Sequence, residues 1–91
     1  MRSISILGAT GSVGDSTLKL LRKHRSDWRV EALTAHCSAS KLADLAREFD
    51  AKIAVVGDEA CLPALREALS GSGIEAAGGR AALIEAAKRP V

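Results

Sequence analysis

The segment Ile4-Ser5-Ile6-Leu7-Gly8-Ala9-Thr10-Gly11-Ser12-Val13-Gly14 decides how this chain is expected to fold. It opens with an apolar alternation typical of a strand and leads into a run with helical spacing. The three glycines predict a tight strand-to-helix turn in which Gly8 turns the chain, Gly11 lets an anion reach bare backbone, and Gly14 seats the helix on the strand. The helix opening near Ser12 would point its unpaired amides at a diphosphate. A glycine-rich turn without a ligand stays open as an alternative, because the motif alone is weak.

Composition restricts the class of protein further. The 91 residues allow one domain or part of one, and the apolar 47% contains only Trp28 and Phe49 as aromatic residues. Such a composition suits a parallel sheet covered by helices. The net charge of +2 is scattered among acidic residues, which argues against nucleic acid or a membrane surface as a partner.

The N-terminus and the cysteines predict a cytoplasmic protein. Met1-Arg2-Ser3 leads into a short strand and does not resemble a signal peptide, and no apolar run approaches membrane-spanning length. Cys37 and Cys61 belong to no C-x-x-C motif, so we expect two free thiols in a reducing compartment. His36 next to Cys37 cannot chelate a metal alone, and we predict no metal ligands and no catalytic residues in this chain.

Strand and helix patterns alternate along the chain. The first half of the chain predicts a helix from Val13 to about His24, a strand over 28–35, and a helix capped by Ser38 or Ser40 and reaching Phe49. The second half predicts a strand over 52–56, a helix from Leu62 or Pro63, and a strand over 74–76. A turn at Gly78-Gly79 and a helix over 80–88, ended by Pro90, complete the pattern. Right-handed crossovers would order the first three strands 3-2-1, with the glycine turn at their carboxyl edge. The predicted fold class is α/β, a Rossmann-like parallel sheet with helices on both faces. It is truncated after about four β-α units, so we expect a fragment of a longer protein that lacks the other wall of the ligand crevice.

The end of the second strand indicates which dinucleotide would bind. Sites that prefer NAD carry an Asp or Glu about 20 residues after the glycines, and the window Thr34-Ala35-His36-Cys37-Ser38 holds no acid. His36 and Ser38 could instead donate hydrogen bonds to a 2′-phosphate. NADP is therefore favoured over NAD, although His36 as an ordinary polar loop residue stays open.

The run Ser3–Gly14, with Ser16-Thr17-Leu18 after it, closely resembles the opening of the 1-deoxy-D-xylulose-5-phosphate reductoisomerase family. Three later segments look like successive parts of that family's NADPH-binding domain: Trp28–Ala35, Ala46–Phe49 and Ala54–Ala60. The resemblance implies that Thr10, Gly11, Ser12 and Val13 form the diphosphate-binding turn. It also implies that His36, Cys37 and Ser38 grip the adenosine ribose and its 2′-phosphate. The family more commonly has glycine, then Lys or Arg, then Asn at those three positions, so a fixed cation is missing here.

The resemblance also implies an activity for the full-length protein. It would isomerise and reduce 1-deoxy-D-xylulose 5-phosphate to 2-C-methyl-D-erythritol 4-phosphate in isoprenoid precursor synthesis, using NADPH and Mg²⁺ or Mn²⁺, as a homodimer. The family's metal-binding carboxylates and substrate contacts would lie beyond residue 91. Residues 1–91 are thus expected to be the N-terminal part of an NADP-binding domain, without the catalytic and C-terminal domains and inactive alone.

Two other functions are compatible with the glycine turn. A semialdehyde dehydrogenase opens with a similar turn, and a catalytic cysteine further along the chain would favour that enzyme. A regulatory or interaction module of the same fold would bind no dinucleotide.

Overall fold

Four strands and four helices alternate along the chain in the computed structural model. The model describes residues 2–9 and 11–88, and for Arg2, Ser12, Val13 and Arg25 it describes only the backbone. The strands are β1 (Arg2–Ile6), β2 (Trp28–Ala35), β3 (Ile53–Val56) and β4 (Glu75–Gly78). The helices are α1 (Ser12–Lys23), α2 (Ala39–Phe49), α3 (Leu62–Ala68) and α4 (Arg80–Lys88). Short 3-10 helices, Arg25–Asp27 and Glu59–Cys61, precede β2 and α3.

The strands form one parallel sheet in the order β1-β2-β3-β4. Ile6 pairs with Leu33, and Val56 lies between Ala35 and Gly78. The predicted 3-2-1 order is therefore confirmed. Because the strands run in the same direction, the loops that follow them lie side by side at the carboxyl edge of the sheet.

Helices cover both faces of the sheet, as predicted. Helices α1, α2 and α3 share one core, to which they contribute Leu18, Leu42 and Leu65. Helix α4 packs on the opposite face, where Ala86 meets Ala32, Ile53 and Val55. Successive residues of β3 alternate between these two cores, so the strand is apolar throughout. The α/β Rossmann-like class is confirmed.

Helix α1 departs from what its helical spacing alone would predict for burial. Leu18 and Leu21 are buried at 0% and 5% exposure, whereas Leu20 is 62% exposed. The buried residues Gly14, Leu18 and Leu21 form one line along the helix. The Gly78-Gly79 turn also differs from the prediction, because Gly78 is the last residue of β4 and Gly79 alone, at φ +99°, turns the chain. Pro90 lies outside the described residues.

Polar contacts connect the helices of the α1–α3 face. Arg22 in α1 donates two hydrogen bonds to the carboxylate of Glu48 in α2, and its guanidinium lies 5.6 Å from the centroid of the Phe49 ring. The hydrogen bond to Glu48 raises the pKa of Arg22 above its ordinary value. Arg47 donates to the carbonyls of Ala68 and Ser70 at the end of α3. These contacts are exposed and fix geometry more than they add stability.

None of the helices in the described part of the chain combines the length and the apolar character that crossing a bilayer requires.

We predict that Gly14→Ala destabilises the fold. A methyl group at Gly14 would lie 2.8 Å from Ala9 Cα and 2.9 Å from Ala9 C, so the turn or the helix must move. Overpacking against backbone costs about 1–3 kcal/mol, and urea denaturation followed by circular dichroism measures the loss. Gly11→Ala is the matched control, because its methyl group would lie 3.5 Å from the Gly8 carbonyl oxygen, an ordinary contact. Equal stability of the two variants would contradict this interpretation of Gly14.

Candidate functional site

The glycine turn joins β1 to α1 by the geometry that the sequence predicted. Gly8 has a backbone φ of +72°, a conformation that residues other than glycine rarely adopt. The Gly11 amide donates to the Gly8 carbonyl over 3.0 Å, and Gly11 is the N-cap of α1. The first intrahelical bond runs from the Asp15 amide to the Gly11 carbonyl, over 2.9 Å. Because helical geometry gives the amides of residues 12–14 no intrahelical acceptor, the start of α1 is suited to an anion.

Thr34 in β2 holds this turn in place. Its side-chain Oγ1 accepts a hydrogen bond from the Gly8 amide over 3.0 Å, and its carbonyl accepts one from the Ala9 amide over 2.7 Å. Thr34 is 3% exposed and is a buried polar residue in an otherwise apolar strand end. It thus positions the glycine turn relative to the loop that begins two residues later. The sequence analysis assigned Thr34 no role, although a single hydroxyl between Leu33 and Ala35 was a usable signal.

Gly11 and Gly14 are glycines for different reasons. Gly14 is buried against Ala9, where a side chain has no space. Gly11 is exposed and has an ordinary φ of −84°, and a methyl group added to it would have the Gly8 carbonyl as its nearest described neighbour. The fold therefore does not require glycine at position 11. A ligand that approaches the backbone closely would require it.

The loop His36–Ser38 lies beside the glycine turn at the carboxyl edge. The chain after β3 holds it from the other side, because the Gly57 amide donates to the Ala35 carbonyl over 2.8 Å and the Asp58 amide donates to the His36 carbonyl over 2.9 Å. His36 and Ser38 are exposed and Cys37 is half-buried. Ser38 occupies the N-cap position of α2, but its side chain makes no capping hydrogen bond, so the predicted cap is only positional.

Cys37 and Cys61 form a disulfide, and the prediction of two free thiols is therefore wrong. Their Cα atoms lie 5.6 Å apart, within the range that a disulfide spans, although 24 positions separate the two residues. The sheet causes this proximity. Cys37 follows β2 and Cys61 ends the 3-10 helix that follows β3, so parallel pairing of the two strands brings both to the same edge.

One set of three residues in the described part of the chain has metal-ligating atoms close together: Cys37, Asp58 and Cys61, with ligand atoms within 4.8 Å of one another. Bonded sulfurs offer no thiolate to a metal. Asp58 is also used locally, because its Oδ1 accepts a hydrogen bond from the Ala60 amide over 3.0 Å. Mg²⁺ and Mn²⁺ prefer several oxygen ligands, so this set does not fit them.

A shallow pocket of about 280 Å³ lies away from the glycine turn, at the amino ends of β3 and β4 beneath α4. Its lining is Ile53, Glu75, Ala77, Ala82, Glu85 and Ala86. Two carboxylates at its rim make it unsuitable for a phosphate.

The structure thus brings the two predicted halves of the site to one edge, although it does not describe every predicted residue. Thr10 lies outside the described residues, and Ser12 and Val13 are described by backbone alone. Gly8, Gly11 and Gly14 stand in the turn, and His36, Cys37 and Ser38 stand in the neighbouring loop. Cys61 and Thr34 are the two neighbours that the sequence analysis did not include.

Comparison with known proteins gives a consistent result. Residues 4–91 match the family model of 1-deoxy-D-xylulose 5-phosphate reductoisomerase. Relatives of that name are 55% identical over 89 residues in Afipia carboxidovorans and 54% identical over 92 residues in Cereibacter sphaeroides; they cover 98% and 99% of this chain. The chain spans only 22% and 23% of the length of these relatives.

Solved structures agree with the fold described above. The Zymomonas mobilis reductoisomerase in complex with NADPH superposes with a TM-score of 0.93 at 48% identity, covering 94% of this chain and 23% of that one. A reductoisomerase in complex with NADPH, fosmidomycin and magnesium superposes with a TM-score of 0.89 at 35% identity, over 96% of this chain and 22% of that one. The semialdehyde dehydrogenase alternative is thereby set aside: the chain belongs to the 1-deoxy-D-xylulose 5-phosphate reductoisomerase family.

Proposed function

We propose that this chain is the NADPH-binding part of a reductoisomerase that isomerises and reduces 1-deoxy-D-xylulose 5-phosphate to 2-C-methyl-D-erythritol 4-phosphate. The observation that carries the proposal is the exposed Gly11 at the start of α1, in a turn whose Gly8 and Ala9 amides donate hydrogen bonds to Thr34 of β2. This turn places the positive end of a helix at the carboxyl edge of a parallel sheet, where such folds bind dinucleotides.

The glycine turn would hold the cofactor diphosphate. The residues proposed for this role are Gly8, Thr10, Gly11, Ser12, Val13 and Gly14. Gly8 and Gly14 would act indirectly by fixing the turn, whereas Gly11 and the first amides of α1 would face the anion. Backbone donors suit this task because they are rigid and cost no side-chain ordering when the ligand binds.

The loop after β2 would hold the adenosine ribose and its 2′-phosphate. His36 and Ser38 are exposed donors there, and Cys37 keeps the loop attached to the chain after β3. The loop itself contains no acid to repel a 2′-phosphate, but the Asp58 carboxylate lies within 4.8 Å of the Cys37 sulfur, and no Lys or Arg stands in the loop. We therefore propose a moderate preference for NADP over NAD.

The remaining functional assignments extend to the whole protein. We propose that the divalent cation, Mg²⁺ or Mn²⁺, and the sugar phosphate are bound by parts of the enzyme to which this chain has no counterpart, since it spans 22% of its relatives. Assembly as a homodimer and a cytoplasmic location belong to the same proposal. When bound, NADPH supplies the hydride; the residues described here bind and orient it.

The direct test is a titration of the folded protein with NADPH, NADH and 2′-phospho-ADP-ribose. Amide chemical shifts are the better readout, because Trp28 lies at the amino end of β2, opposite the site. We expect shifts centred on residues 8–14 and 36–38, and about tenfold tighter binding of NADPH than of NADH, the value of one hydrogen bond to a charged group. A folded sample that binds none of these ligands would contradict the proposal and favour a non-enzymatic module.

We predict that Gly11→Ala weakens NADPH binding by about tenfold or more while the protein stays folded. The methyl group has space within the protein but would stand where the diphosphate approaches the backbone. Isothermal titration calorimetry measures the affinity and urea denaturation checks the fold. Unchanged affinity in a stable variant would show that the glycine turn is purely structural.

We predict that Thr34→Val weakens both the fold and cofactor binding. Valine keeps the shape but removes the Oγ1 acceptor, so the Gly8 amide loses its partner at a cost of about 1–3 kcal/mol in unfolding free energy. The displaced turn should bind NADPH several-fold more weakly. Thr34→Ser is the control: it retains the hydroxyl and should retain most of the affinity. If Thr34→Ser and Thr34→Val bind NADPH equally, the hydroxyl does not position the turn.

A further inference from the structure

We propose that Cys37 and Cys61 are a reversible dithiol–disulfide site that sets the affinity of the adenosine 2′-phosphate pocket, the bridged form binding NADPH more tightly than the dithiol form. This inference rests on the proposed NADPH site. It assigns a modification site that the family match does not supply, and its reactants are small disulfides and thiols.

The location of the bridge is the first argument. Cys37 is the middle residue of the three that would grip the 2′-phosphate, and Cys61 ends the 3-10 helix Glu59–Cys61 on the neighbouring strand connection. The bond therefore links the 2′-phosphate loop to a second, independently anchored segment. Two backbone hydrogen bonds, Gly57 to Ala35 and Asp58 to His36, already align the two segments.

The loop itself supplies the second argument. Ser38 holds the N-cap position of α2 without a side-chain capping bond, and both His36 and Ser38 are exposed. Besides the backbone hydrogen bonds to the carbonyls of His36 and Ser38, the disulfide is the covalent connection that restrains this segment. Without it, binding would have to order the loop, and ordering a few side chains and their backbone weakens affinity. In the bridged form the loop is already restrained before the ligand binds.

The bridged chain keeps the overall fold of a relative that was solved with NADPH bound. With the bond in place, the chain superposes on the NADPH complex of the Zymomonas mobilis enzyme with a TM-score of 0.93. Cys37 and Cys61 are both half-buried residues, so neither is enclosed within the core. Accessible disulfides are the ones that exchange readily.

A low-molecular-weight disulfide is the oxidant that converts the two thiols into the bridge. The thiolate of one cysteine attacks a sulfur of that disulfide, breaks its S–S bond and releases one small thiolate. The second cysteine, as its thiolate, then attacks the mixed disulfide, forms the Cys37–Cys61 bond and releases the second small thiolate. The two protons lost by the cysteines end on the two released thiols, and two electrons pass from the protein to the small disulfide.

The test measures NADPH and NADH dissociation constants for the protein equilibrated with oxidised or with reduced glutathione, with EDTA present because two thiolates beside Asp58 form a zinc-binding set. Maleimide labelling of free thiols confirms the state of each sample. We expect the dithiol form to bind NADPH about three- to tenfold more weakly, corresponding to the restraint of one or two side chains. The NADH affinity should change less, because NADH lacks the 2′-phosphate.

Cys61→Ser provides the second arm, since Cys61 lies outside the proposed binding loop. Measured in reduced glutathione, this variant should bind NADPH like the reduced wild-type protein; it is not exposed to oxidised glutathione, because its Cys37 would keep the mixed disulfide that Cys61 normally resolves. If it does not fold, the reduced wild-type protein gives the same comparison without a substitution. Equal affinity of the bridged and dithiol forms, or tighter binding by the dithiol, overturns the inference and leaves the NADPH site standing. Absence of NADPH binding by both folded forms overturns the proposed function and this inference together.

Discussion

Two hydrogen bonds from the glycine turn to Thr34 are the contact on which the rest of the site depends. They attach the chain just after β1 to the end of β2 through one buried residue, and they satisfy the amides of Gly8 and of the buried Ala9. Because α1 begins a few residues after Gly8, the same contact fixes where the helix starts. The close approach of Gly14 to Ala9 then leaves the helix little freedom to tilt.

The parallel sheet places the neighbouring loops beside the glycine turn. Parallel pairing places the chain after β1, β2, β3 and β4 at one edge. Backbone hydrogen bonds attach loops there to the neighbouring strand: the Gly57 amide, after β3, donates to Ala35 of β2, and the Gly79 amide, after β4, donates to Val56 of β3. Helices α1–α3 lie on one face, and α4 returns across β4, β3 and β2 on the other. A change of face is what a doubly wound sheet needs before the strand order reverses at β1.

Charge in the proposed 2′-phosphate loop, residues 36–38, is arranged differently from a site built around a fixed cation. The loop offers an imidazole, a hydroxyl and backbone amides, and the nearest carboxylate, that of Asp58, is engaged with the Ala60 amide. The affinity of these donors for a phosphate depends on how well they are positioned, because none of them attracts a phosphate strongly from a distance. The Cys37–Cys61 bond and the backbone bonds to the segment after β3 supply that positioning.

The sequence by itself determined the order of the elements, the parallel sheet, the glycine turn and the family, because these depend on local patterns: apolar runs, turn residues and glycine spacing. It did not determine that Leu20 on α1 is exposed, that Gly78 completes β4, or that Ser38 leaves its side chain out of the cap, since each depends on what packs nearby. The largest difference between the sequence prediction and the structure is the disulfide, because Cys37 and Cys61 are 24 positions apart and belong to no local motif. The tertiary structure alone decided that bond, and also the role of Thr34, because adjacent parallel strands bring residues that are distant in the chain to the same edge.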